Sequence, residues 1–216
     1  MLSRQRKPSA IAEPLRDRDL VRLHWPVGLR PAFDALFEID DALAEVVVRS
    51  TEPTLAAIKL AWWREALERI DGDAPPAEPR LQAVAAELLP RGITGAELAG
   101  LEPGWATLLD ALPRTELIEA RGALLFELGA RLLGGGSAGI SEAGRLYAAM
   151  DVTRRALLNL KNEIEEPDLP RFPVPVRPLT GLACLARRDR LGDVLEPEAT
   201  PGRSWALMRH RISGRV

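Results

Sequence analysis

From Pro31 onward the chain places apolar residues every three or four positions and closes each run with proline or glycine, a pattern that serves a helix and not a strand. Phe33, Leu36, Phe37, Leu43, Val46 and Val47 follow Pro31 in this way. Proline is tolerated in a helix's first turn because its missing N–H would have no partner there. Residues 50–53 end this helix, and 54–70 form the next. There Leu55, Ile58, Trp62 and Ala66 share one stripe, and Arg64, Glu65 and Glu68 lie mostly on the other. A loop rich in proline and glycine covers 71–79. Further helices are predicted over 81–89, 104–112, 116–133, 141–162, 179–191 and 201–211. β-Branched residues rarely cluster and aromatics are only 5% of the chain, so closely packed helices are favoured over sheets and the fold class is all-α. Residues 1–18 read as a flexible arm, 19–165 as a helical domain, and 166–216 as a proline-rich passage with short terminal helices packing on the same domain.

A chain of 216 residues with 46% apolar and 28% charged side chains can bury one sizeable core. Cys184 is the only cysteine and His24 and His210 the only histidines, which argues against disulfides, structural zinc and Ser-His or Cys-His catalysis. The Gly-Gly-Gly run at 134–136 follows no strand and precedes no Gly-Lys-Ser/Thr, so it reads as a helix terminus and not a phosphate cradle. No uncharged apolar run approaches the roughly 20 residues of a membrane span, and the basic start has no apolar run behind it. A cytoplasmic protein is expected, with peripheral contact to the inner membrane as an option. Charge is uneven: residues 1–30 carry +4, 31–170 carry −11 and 171–216 carry +5. The basic ends can neutralise the acidic middle or touch an anionic surface; with no nucleic-acid motif present, no nucleic-acid partner is expected.

The stretch 30–70, with Leu36-Phe37 and then Leu60, Trp62, Trp63, Arg64, Glu65 and Leu67, resembles the squalene/phytoene synthase superfamily. Weaker echoes follow in Pro79-Arg80-Leu81, in the helix running from Gly122 to Gly134, and in Gly144-Arg-Leu-Tyr-Ala148. The resemblance covers roughly 16–165 and implies a single-domain helical prenyl-synthase-like (terpenoid synthase) fold, truncated at the C-terminus. Active members join two prenyl diphosphates head-to-head. Ionising such a substrate requires Mg²⁺ held by facing carboxylate clusters and an apolar cavity that excludes water.

The departures from the family pattern lie at those clusters. Where the first belongs, the chain has Ala44, Glu45, Val46, Val47 and Val48, with Asp40 and Asp41 one turn earlier; where the second belongs, it has Arg154 and Arg155 and no carboxylate. The match is better to a divergent branch without the aspartates, typified by an assembly factor for respiratory complex I. The resemblance thus implies a catalytically degenerate protein that binds a prenyl lipid or prenyl diphosphate, or that serves as an assembly factor with a protein partner or peripheral membrane contact. It carries over no metal ligand and no resident cofactor. The alternative is a Mg²⁺-dependent transferase using Asp40 and Asp41 with a second cluster such as Asp151 and Glu163.

Asp40 and Asp41 are accordingly the candidate catalytic residues, and Arg30, Arg154, Arg155 and Tyr147 the candidate substrate-binding residues. Asp40 lies on or beside the apolar stripe, where an unpaired carboxylate would cost several kcal/mol, so it needs a partner: either a residual Mg²⁺ or diphosphate contact, or solvent or an arginine at the stripe's edge. Asp41 is expected to be exposed. Glu163, Glu165 and Glu166 read as a solvated charge run. Of the adjacent Trp62 and Trp63, one should enter the core and one should lie at a seam or partner surface.

Overall fold

The computed structural model describes residues 15–216. Most of the expected N-terminal arm lies outside the described residues. The rest is all-helical, with no strand among the described residues. The α-helices are α1 (Asp17–Leu23), α2 (Arg30–Val48), α3 (Pro53–Arg69), α4 (Pro79–Glu87), α5 (Gly95–Ala99), α6 (Glu102–Ala106), α7 (Thr115–Leu132), α8 (Ile140–Arg154), α9 (Arg177–Leu191) and α10 (Pro201–Ser213). No helix among the described residues is long and apolar enough to cross a membrane. Asp17 and Arg18, placed in the arm by the sequence reading, begin α1 instead; Asp17 is buried against Arg203.

Helix α2 is the central element, packed against α3, α4, α6 and α7. Its buried side chains run round much of its circumference and include Phe33, Leu36, Phe37, Ile39, Leu43 and, unusually, Asp40. Pro31 stands in its first turn, as the sequence requires. α7 and α8 form the tightest pair, crossing where Gly122 meets the backbone of Gly144. α9 packs on α8 and α1, and α10 packs on α9. The proline-rich passage is pinned to this end: Phe172 is fully buried and its N–H donates to the Gly214 carbonyl at 2.8 Å.

Four helices depart from expectation. α3 is rotated. Its buried face is Ala56, Leu60, Trp63, Ala66 and Leu67, while Leu55, Ile58 and Trp62 of the expected core stripe point outward. The helix carries apolar residues on both sides, so periodicity alone could not choose the face. The expected helix at 104–112 is the short α6 followed by a 3-10 turn at Thr107–Leu109, and α5 precedes it unannounced. Thr94 caps α5, and Asp71 accepts from the Gly95 and Ala96 N–H groups at 2.5 and 2.9 Å. α8 stops at Arg154, well short of 162. Ala156 adopts a left-handed φ of 56°, and Thr153 Oγ1 donates to the Ala149 carbonyl while accepting from the Leu160 N–H, which turns the chain back.

The two tryptophans of α3 give a direct check on its rotation. Trp63 is 8% exposed and Trp62 is 48% exposed, the rings meeting edge to face at 5.2 Å. Trp63→Ala should cost about 3 kcal/mol by emptying a buried volume, whereas Trp62→Ala should cost under about 1 kcal/mol. Urea melts of both variants measure the difference; equal losses would put both rings in the core.

Candidate functional site

Two adjacent aspartates on α2 organise the polar interior. Asp40 is buried, and its carboxylate accepts from Trp105 Nε1 at 2.8 Å and from Arg121 Nη1, which reaches both oxygens at 3.0 Å. Arg121 comes from α7 and is itself fully buried, its guanidinium stacked 3.9 Å over the Trp105 ring. Its Nη2 donates to Asp151 of α8 at 3.1 Å and to the Ala148 carbonyl at 3.4 Å. One guanidinium therefore sits between two carboxylates from facing helices. Burial pushes the Asp40 carboxyl above its usual range, and the Arg121 charge opposes that rise. Burial also works against the charge on Arg121, but Asp40 and Asp151 more than restore it.

The network continues outward. Asp151 accepts from Arg155 Nε at 2.9 Å, one turn along α8, and Arg155 Nη2 donates to Asp41 at 2.8 Å. Asp41 also accepts from Arg16 at 3.2 Å and from Arg18 of α1. Asp41 is thus largely enclosed, against the expectation of exposure, because three arginines from two other segments close over it. Burial alone would raise its pKa; Arg18 and Arg155 outweigh burial and hold it below the ordinary value. A second network joins α10 to α1 and α9. Arg203 donates through Nε to Asp17 at 2.8 Å and through Nη1 to Asp189 at 2.5 Å, and Asp189 also accepts both donors of Arg154 at 2.5 and 2.6 Å.

A cavity of about 70 Å³ lies between the two networks, lined by Tyr147, Met150, Leu182, Leu185 and the charged groups of both. Five arginines and five acids face it, so its walls carry no net charge to attract an anion. Tyr147 packs beside Phe37 and Phe126, and burial, reinforced by Asp151 and Asp40, pushes its hydroxyl pKa well above the usual value. It stays a neutral phenol.

Of the residues singled out from the sequence, Asp41, Tyr147, Arg154 and Arg155 line this cavity, and Asp40 lies behind it. Arg30 is elsewhere, donating to the Leu23 carbonyl at 3.0 Å. Glu163 is exposed and does not face the cavity, so the pairing of Asp151 with Glu163 is not formed. Glu166 is not simply solvated, since Arg187 and Arg190 pair with it. The sequence reading missed Arg121, Trp105, Asp189 and Arg203. A signal existed for Arg121, which interrupts the buried stripe of Ile118, Leu125 and Leu128 with one charge.

Magnesium does not fit the space between Asp40 and Asp151. The Arg121 guanidinium already bonds both carboxylates, and a hard divalent ion with octahedral oxygen ligands would have to displace it. Among the described residues, no three His, Cys, Asp or Glu side chains are grouped to hold a metal. Compared with protein-family models, with curated proteins and with solved structures, the chain matches none.

Proposed function

We propose that the protein is a squalene/phytoene synthase-like helical scaffold in which an internal ion-pair network stands where substrate ionisation would occur, and that it acts by association and not by turnover. The observation that carries this reading is the Arg121 guanidinium held between Asp40 and Asp151. In a head-to-head synthase, facing carboxylates must keep free oxygens for Mg²⁺ and the leaving diphosphate. Here those oxygens are committed to arginine.

The size of the interior supports the same reading. Ligand pockets typically span about 300–1,000 Å³, and the cavity beside Tyr147 offers about 70 Å³. A prenyl chain has no room there without parting α2, α8 and α9. Association has surfaces to use, among them the outward stripe of Leu55, Ile58 and Trp62 on α3. The role that follows is a cytoplasmic assembly or interaction factor working at the inner-membrane face.

Incubating the full chain with farnesyl or geranylgeranyl diphosphate and Mg²⁺ should yield no head-to-head product. Mg²⁺-dependent product that disappears in a folded Asp40→Asn variant would overturn the reading and restore the transferase. Asn keeps the acceptor for Trp105, and a thermal melt establishes that the variant is folded.

A further inference from the structure

We infer that the outward face of α10 is a preformed docking surface for an anionic lipid bilayer. Trp205, Met208 and Ile212 recur at three- and four-residue spacing and are 68%, 53% and 75% exposed, forming one apolar ridge. The opposite face of the same helix is buried through Arg203, Ala206, Leu207 and His210. His210 is fixed between Thr180 Oγ1 at 2.9 Å and the Arg215 carbonyl at 2.8 Å, so the ridge is held in place before it meets anything. The helix C-terminus is secured too, with Arg177 donating to the Arg211 and Ile212 carbonyls at 3.0 and 2.9 Å.

Charge selects the occupant. Residues 201–216 contain no aspartate or glutamate. The basic terminal block divides in two. Arg187, Arg188, Arg190 and Arg203 are engaged by Glu166, Glu196, Asp17 and Asp189, whereas Arg171, Arg177, Arg209, Arg211 and Arg215 have no carboxylate partner among the described residues. Arg209 and Arg211 flank the ridge on its two sides. An apolar stripe with Trp, rimmed by unpaired arginines and free of acids, is the composition of a helix lying in a bilayer interface, and the rim matches anionic headgroups. Beside Arg209 a groove of about 770 Å³, edged by the exposed Leu191 and Val194, adjoins the ridge, and its two acids are already paired, Asp189 with Arg154 and Arg203 and Glu196 with Arg188. A protein partner would need to bring its own acidic rim; a bilayer supplies one everywhere.

This inference rests on the association reading, and the two fail separately. A prenyl product would defeat that reading and leave vesicle binding as it was. The test is flotation of the full chain with phosphatidylcholine vesicles with and without phosphatidylglycerol, at low and high salt. Removing 166–216 is no test, since α9 and α10 carry part of the core. Binding is expected only with phosphatidylglycerol and is expected to fall with salt. Trp205→Glu should lower the vesicle partition coefficient at least tenfold, and Arg209→Ala about fivefold, with thermal melts unchanged because both side chains are exposed. Equal flotation on neutral vesicles, no flotation at low salt, or undiminished binding by Trp205→Glu would each overturn the proposal. So would light scattering that shows a dimer abolished by Trp205→Glu together with no vesicle binding, which would make a second copy the occupant.

Discussion

Arg121→Met is expected to destabilise the protein by about 3–5 kcal/mol, enough to leave a domain of ordinary stability near its unfolding threshold. Methionine fills much of the arginine's volume, so the loss comes from charge and not from a cavity. Asp40 would keep only the Trp105 Nε1 donor, and Asp151 only Arg155. Two carboxylates 1% and 12% exposed by residue and side chain respectively would then face each other with no cation between them. The double variant Arg121→Met with Asp40→Asn should be more stable than Arg121→Met alone, because it removes the stranded charge and retains the tryptophan bond. The pH dependence has a fixed sign. Losing Arg121 removes the charge that opposes the burial-driven rise of the Asp40 carboxyl, so the folded protein binds this proton more tightly than the unfolded chain. The penalty is then full at neutral pH and shrinks as pH falls toward the unfolded carboxyl value of about 4. Urea melts of parent and variant at neutral and mildly acid pH read this out. A penalty that grows on acidification would mean that Arg121 does not compensate the Asp40 carboxylate.

Much of this molecule is legible in its sequence at the level of elements. Prolines 31 and 201 mark helix starts as the sequence reading has them, because the first turn tolerates a residue without an N–H, whereas Pro53 and Pro79, read as the ends of the preceding loops, also stand in first turns, those of α3 and α4. Faces were harder. α2 has a clear apolar stripe, but α3 offers Leu55 beside Ala56 and Trp62 beside Trp63, and the approach of α2, α5 and α6, with Gly95 of α5 abutting the Leu67 backbone, decides which side is covered.

The polar interior was half legible. A carboxylate on a buried stripe needs a partner, and Asp40 has one. The charge that Arg121 places in a buried stripe signals that it has a partner, but not which one, because Asp40 is 81 residues away in the chain. Asp41 illustrates the opposite error. It sits next to Asp40, off the stripe, and is enclosed only because Arg16, Arg18 and Arg155 arrive from α8 and the start of α1. Long-range ion pairing leaves no periodic trace. The arginines of the terminal block show the same limit, since counting them did not reveal that four are committed to acids and five are not.

The crossing of α7 and α8 sets the second large effect. Gly122 and Gly144 face each other there, and a Cβ added at Gly122 would fall on the Gly144 carbonyl oxygen and 2.5 Å from the Ala148 Cβ. Backbone is the obstacle, so no rotamer change relieves it. In an open helix, replacing glycine by alanine gains up to about 1 kcal/mol; here the gain is overrun because the helices must separate. Parting them also stretches the Arg121–Asp151 bond, which spans the same pair. Gly122→Val, which adds a branched side chain at this point, should cost about 4–5 kcal/mol, the upper end for an overpacked core. Gly136→Ala is the control: that Cβ meets nothing within 4 Å, and the variant should stay within about 0.5 kcal/mol of the parent. Denaturant melts of the two compare them directly. A Gly122→Val protein as stable as the parent would mean that α7 and α8 stand further apart than their glycines indicate, and that Arg121 reaches Asp151 across a looser seam.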